Sequence, residues 1–172
     1  MKKIISIAAM LLLLGSSIFS QGNKSVFFEL GGNGLGFSIN YDARFSKSEN
    51  GFGFRAGIGY FPAVNTGDAD IFVPSTPSML TIPVGINHLA GKAPHYFESG
   101  LGITYVNISG SFSSDFWGYS EDASGSAVGF IPSIGYRYAK AGKGFQGRAV
   151  ISPIIGSGGF AFWLGLSAGI KF

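Results

Sequence analysis

The sequence predicts an all-β fold, an eight-stranded antiparallel up-and-down β-barrel. Three observations carry that prediction. Large apolar residues recur at every second position in eight separate segments, the period of strands whose successive side chains point to opposite faces. Past the first twenty residues no helical period is found. Glycine is abundant, at 28 of 172 residues, while charged residues make up only 12%, about half the usual share.

The chain begins differently. Lys2 and Lys3 precede an apolar stretch, 4–14, followed by small residues. This is the layout of a cleaved export signal, too short and wrongly flanked for a spanning helix. Residues 1–20 are therefore expected to be removed, with cleavage after Ser20 or Ser17, leaving 21–172 as one domain. There is no cysteine, so no disulfide or lipid-bearing cysteine is available. Without Lys2 and Lys3, ten of the twelve basic residues remain against nine acidic ones, which leaves no charge-based case for nucleic acid.

The strands follow in order. In 24–32, Val26, Phe28 and Leu30 oppose Phe27, Glu29 and Gly31. In 35–45, Leu35, Phe37, Ile39, Tyr41, Ala43 and Phe45 oppose Gly36, Ser38, Asn40, Asp42 and Arg44. In 51–61, Phe52, Phe54, Ala56, Ile58 and Tyr60 oppose four glycines and Arg55. In 79–89, Leu80, Ile82, Val84, Ile86 and His88 oppose Thr81, Pro83, Gly85 and Asn87. In 95–107, Phe97, Leu101, Ile103 and Tyr105 oppose Tyr96, Glu98, Gly100, Gly102 and Thr104. In 127–139, Val128, Phe130, Ile134, Tyr136 and Tyr138 oppose Gly129, Ser133, Gly135 and Arg137. In 144–154, Phe145, Ala149 and Ile151 oppose Gln146, Arg148 and Ser152. The final segment, 160–172, sets Phe160, Phe162, Leu164, Leu166, Ala168, Ile170 and Phe172 against Trp163, Lys171 and small residues.

If neighbours are antiparallel, the connections alternate between two ends. The long ones, 62–77 and 109–126, share an end with the tight turns "GNG" and "GSGG". The opposite end has only short turns and both mature termini. Short turns inside and longer loops outside characterise membrane barrels. The charges sort the same way: Asp68, Asp70, Asp115, Glu121 and Asp122 lie in the outer loops, while Lys47, Lys92, Lys140 and Lys143 dominate the inner turns.

Every arginine falls on the small-residue face, together with Glu29, Asp42, Glu98 and Lys171. Eight strands enclose an interior only just wide enough for side chains, and the bulky apolar face would overfill it. Turned outward, that face meets lipid at no cost, and closure leaves no open edge. The prediction sharpens to a transmembrane barrel with a polar, plugged interior. Buried ions must be paired, so Glu29, Asp42 and Glu98 are expected among Arg44, Arg55, Arg137, Arg148 and Lys171. The two excess positive charges call for water, carbonyls or an anion. Tyr41, Tyr136, Tyr138 and Phe172 toward the inner rim, with Tyr60 and Tyr105 toward the outer, fit interfacial aromatic belts.

The signal "MKKIISIAAMLLLLG", the strands "VFFELGGNGLGFSINYDARF", "GFGFRAGIGYFP" and "FIPSIGYRY", and the terminal "FWLGLSAGIKF" resemble those of the small eight-stranded outer-membrane barrel proteins of Gram-negative bacteria, the OmpA/OmpX-like group. The resemblance covers nearly all of 21–172. It implies a bacterial outer-membrane location, with the bilayer and lipopolysaccharide as surroundings. It also implies that the barrel-assembly machinery reads Leu164, Leu166, Ile170 and Phe172. The expectation is a monomer without cofactor.

Some barrels of this size modify lipid A, with catalytic groups near the outer end. Here the histidines, His88 and His95, flank the inner turn at 90–94. Two ligands are too few for zinc, and no outer-loop serine has a base in reach. "GGNGLG" lacks the helix a nucleotide loop requires. The stretch 113–124 carries Asp115, Phe116, Trp117, Tyr119, Glu121 and Asp122, a set suited to adhesive or calcium-assisted contact with lipopolysaccharide. The expected role is structural or surface-binding through the two long loops, not enzymatic. A lipid A-modifying enzyme and a narrow small-solute channel are the alternatives.

Overall fold

The computed structural model describes residues 23–61, 78–109, 125–156 and 159–172, without side chains at 109 and 154–160. The predicted signal and Asp115, Phe116, Trp117, Tyr119, Glu121 and Asp122 lie outside the described residues. Eight strands run in sequence order: β1 (Lys24–Gly31), β2 (Phe37–Arg44), β3 (Gly51–Phe61), β4 (Ser78–Lys92), β5 (His95–Ser109), β6 (Gly125–Ala139), β7 (Gly144–Gly156) and β8 (Gly159–Lys171). Each pairs antiparallel with its neighbours, and β1 closes on β8.

Alternation decides the wall because closure turns one face of every strand inward. Phe28, Ile39, Ile58, Ile86, Ile103, Phe130, Ile134 and Leu166 are all exposed on the outside, and Phe162 reaches 70% exposure. Glu29, Asp42, Arg44, Arg55, Glu98, Arg137 and Arg148 are buried. A water-soluble barrel would invert this arrangement. The register also aligns apolar residues across strands: Val26 faces Ile170, and Leu30 faces Leu166, along the β1–β8 closure. Phe28 and Phe37 stack at 6.0 Å between ring centres.

Two ladder irregularities involve proline, which cannot donate a ladder hydrogen bond. Between β3 and β4 the pairing passes from Ala56↔Val84 to Gly59↔Thr81, skipping Pro83 and resuming in unchanged register. Between β6 and β7 it runs only from Ile134↔Ile151 to Ala139↔Gln146.

The connection between β1 and β2 departs from the tight turn read in the sequence. Gly32–Gly34 form a 3₁₀ turn, and all three residues are buried. This segment folds down into the barrel from the outer end. Leu35, which alternation places on the lipid side, goes inward with it and is 8% exposed. The period breaks there because the chain has left the sheet: Gly31, Gly32 and Leu35 have φ of 73°, 58° and 65°, a left-handed conformation no continuing strand adopts.

Candidate functional site

The lumen is the candidate site, and it is layered. The innermost layer is a small apolar cluster of Leu89, Tyr96 and Ala139. Lys171 lies at this inner rim. It donates to Glu49 Oε2 at 2.5 Å and to the Lys140 carbonyl at 2.7 Å. It thus belongs to a rim pair and takes no part in the lumen network to which the sequence assigned it. Its partner, Glu49, comes from the β2–β3 connection, whose folding toward the barrel alternation cannot show.

Above it lies the ionic layer, assembled from six strands. Glu98 of β5 accepts from Arg137 Nε at 2.8 Å and Arg148 Nε at 3.0 Å. Those two arginines are register partners on β6 and β7. Like charges directly opposite one another repel, and the shared carboxylate offsets this. Asp42 of β2 takes a bidentate contact from Arg137 across the lumen, at 3.2 and 3.0 Å. It also accepts from Arg44 at 2.9 Å and Asn87 Nδ2 at 2.6 Å. Glu29 of β1 accepts from Arg148 at 2.9 Å and Arg55 at 3.2 Å. Forked guanidinium contacts of this kind fix orientation as well as charge.

Three carboxylates face four arginines, so the excess is one positive charge rather than two. Neutral oxygens take it up. Arg44 donates to the Gly51 carbonyl at 3.2 Å and to Asn87 Oδ1. Below Glu29, the ring of Phe27 lies 5.3 Å from the Arg148 guanidinium carbon and 5.9 Å from that of Arg55. Phe27 is 1% exposed. The sequence placed it on the inward face without a role. Its position beneath two cations, where its π face attracts both, becomes visible only once the barrel closes.

The inward 32–34 turn sits over this layer. The Thr104 hydroxyl donates to the Asn33 carbonyl at 2.7 Å and that of Thr81 to the Gly34 carbonyl at 2.8 Å. Both threonines are fully buried, and they meet the demand of turn carbonyls removed from water. The wall makes room with glycine. A Cβ on Gly31 would stand 2.1 Å from the Leu164 carbonyl oxygen, and one on Gly165 would stand 2.7 Å from Gly32 Cα. A cavity of about 10 Å³ remains beside Asn33, Arg55, Asn87 and Glu98, close to the least that holds one water.

The outermost layer is apolar again: Leu35, Val106, Ile108 and Ile131, with Met79 and Trp163 packed against them.

The other predicted residues take their expected faces. Leu164, Leu166, Ile170 and Phe172 form an exposed row on the outer wall. His88 and His95 do not meet: His88 faces Ser99 in the register, while His95 faces Lys92. The His88 ring packs 4.7 Å from that of Phe52. His95 Nδ1 contacts the Tyr136 hydroxyl at 2.5 Å. Among the described residues no group of three His, Asp or Glu could hold a metal.

No family model matches the sequence, and neither does any curated protein. Solved structures do match. Ail, the attachment invasion locus protein of Yersinia pestis, aligns at 14% identity and TM-score 0.51, over 88% of this chain and 99% of its own. A second Ail structure, in a phospholipid bilayer nanodisc, gives 15% identity and TM-score 0.50, with 88% and 100% covered. The N-terminal β-barrel domain of Pseudomonas aeruginosa OprF aligns at 14% identity and TM-score 0.49, over 88% and 100%. At such identities the likeness to Ail shows the fold alone: that of a small outer-membrane barrel. With an apolar outer wall around a charged interior, the chain is an integral outer-membrane β-barrel.

Proposed function

We propose that this barrel is a rigid anchor with a surface-binding role, neither a channel nor an enzyme. One observation carries the reading. Three carboxylates and four arginines from six strands hold one another across the lumen, and a buried turn sits above them. Such an interior favours rigidity over transport. Contact with other molecules then falls to the two long outer loops.

The composition of those loops narrows the partner. Residues 62–77 and 110–124 carry Asp68, Asp70, Asp115, Glu121 and Asp122 and no Lys or Arg. Ail has been solved in complex with the heparin analogue sucrose octasulfate. Loops of the present charge would repel a sulfated polyanion, so that ligand does not transfer. Acidic groups beside Phe116, Trp117 and Tyr119 suit calcium-bridged contact with the phosphates and sugars of lipopolysaccharide, aromatic rings packing where carboxylates and cations anchor.

Two measurements test this. Reconstituted in planar bilayers, the protein should give no steady single-channel current; a large, lasting conductance would overturn the anchor reading. Binding of lipopolysaccharide to the barrel in nanodiscs should require calcium and be lost in the D115N/E121Q/D122N variant. Binding indifferent to both changes would remove the loop assignment while leaving the anchor intact.

A further inference from the structure

Charge on the outside of this barrel is one-sided. Among the described residues the exposed charged side chains are Lys47, Lys92, Lys140 and Lys143, and all four lie at the inner end. The described acidic residues are engaged elsewhere: Glu29, Asp42 and Glu98 are buried in the lumen, and Glu49 is paired with Lys171. None of the four lysines has an ion pair among the described residues. Three of them share one sector. Lys92 ends β4, while Lys140 and Lys143 lie in the connection from β6 to β7.

A row of rings runs between these lysines. His95 of β5 is the register partner of Lys92 on one side and of Tyr138 on the other. Its ring lies 6.0 Å from that of Tyr136 and 5.9 Å from that of Tyr138, which lies 6.3 Å from that of Phe145. His95, Phe97, Tyr136 and Phe145 are exposed on the outer wall. Such rings sit where acyl chains give way to headgroups, and lysines just beyond them reach headgroup depth. His95 Nδ1 and the Tyr136 hydroxyl share one hydrogen bond. A neutral imidazole has one N–H and a phenol one O–H. One of these donors closes the shared bond, and the other is left for an acceptor from outside. Neighbouring strands lie about 5 Å apart, so Lys92 and the end of β6 each stand within a lysine side chain's reach of His95.

We propose that this sector of the inner rim holds one anionic phospholipid of the inner leaflet, its phosphate between Lys92 and Lys140 with Lys143 at the edge, accepting from the His95–Tyr136 pair, and its acyl chains against Phe97, Tyr136 and Phe145. The free donor lies on the wall that the bilayer covers, and the rings beside it are apolar surface that a soluble polyanion would leave unmatched. This favours a lipid over an acidic protein. Lysines beside a membrane span attract anionic headgroups, and here no exposed carboxylate among the described residues balances them. A zwitterionic headgroup would bring a cation of its own against three others. Lys47 lies across the barrel, in a connection that also carries Glu49, and serves as an internal control. The site is independent of the long loops and of their partner.

The barrel is reconstituted into nanodiscs holding equal amounts of phosphatidylglycerol and phosphatidylcholine with identical acyl chains. It is then released into mild detergent, and retained lipid is counted by native mass spectrometry. One phosphatidylglycerol should stay bound, preferred by about fivefold or more, the factor that a single lysine near an anionic headgroup supplies. Lys92→Gln with Lys140→Gln and Lys143→Gln should abolish the preference, and Lys47→Gln should leave it. His95→Phe with Tyr136→Phe keeps the rings, removes the donor and should weaken the preference. Heat-modifiable gel migration reports the folded barrel for each variant. Equal retention of the two lipids by the wild type, a preference that survives the triple lysine change, or an equal loss in Lys47→Gln overturns the proposal. So does lysine-dependent binding of polyglutamate to the barrel in phosphatidylcholine nanodiscs without enrichment of phosphatidylglycerol, which would assign the rim to a soluble acidic partner.

Discussion

The inner and outer halves of this barrel solve the same problem in opposite ways. Both must fill a narrow cylinder. The inner half fills it with charge: each carboxylate is shared between two arginines, and every strand pair there is laddered. The outer half fills it with backbone and hydrocarbon. A glycine-rich turn enters, four apolar side chains pack above it and, among the described residues, one seam is unpaired. The difference teaches that closure alone does not make a barrel uniform. Ionic partners interlock in the inner half, and the β6–β7 ladder stops short of the outer end among the described residues.

The strongest way to break this contrast is to remove a shared carboxylate. Glu98→Ala leaves Arg137 and Arg148 opposite each other without their bridge. Breaking a buried pair in this way costs about 3–5 kcal/mol, and here one carboxylate serves two arginines. Urea titration, read by heat-modifiable migration, should show a large drop in midpoint. A change no bigger than that of a surface variant would show that the ionic layer does not hold the inner half.

Next in size is the turn. Thr81→Val with Thr104→Val strands two buried carbonyls, at about 1–3 kcal/mol each. Hydrogen exchange should rise at Asn33, Gly34 and Leu35 and at the outer parts of β4 and β5, with the amides beside Arg137 and Arg148 unchanged. Equal loosening of both halves would merge the two regions into one cooperative unit.

Phe27→Leu keeps an apolar filler and removes the ring beneath Arg55 and Arg148. A loss of about 1–2 kcal/mol is expected, the scale of desolvated cation–π contact. Lys171→Met cuts a single rim pair with Glu49, a carboxylate at the barrel's end that can turn toward water. It should lower the urea midpoint by less than Glu98→Ala, which strips two arginines of their shared partner. A loss rivalling that of Glu98→Ala would place Lys171 back within the network.

These contrasts separate what a linear reading reaches from what it does not. Alternation placed every charged lumen residue on the inward face, since period two follows from strand geometry and needs no partner to be known. The pairings were out of reach. Asp42 and Arg55 are register neighbours, yet Asp42 binds Arg137 across the lumen and Arg55 binds Glu29. Nearest neighbours along the sheet are therefore a poor guide once long side chains can cross a closed interior. The inward turn was hidden as well: "GNG" marks freedom of the backbone, and nothing local says whether that freedom makes a surface hairpin or a plug.

By itself, then, the sequence determined the strands, their phase and the outward direction of their apolar face, because each is a local property repeated eight times. Tertiary structure alone decided which arginine meets which carboxylate, that Leu35 and the 32–34 turn go inside, and that, among the described residues, the β6–β7 ladder ends at Ile134 and Ile151. Those outcomes depend on closing the cylinder, which brings together groups as far apart in sequence as Glu29 and Arg148 and lets each bridge two partners across the lumen.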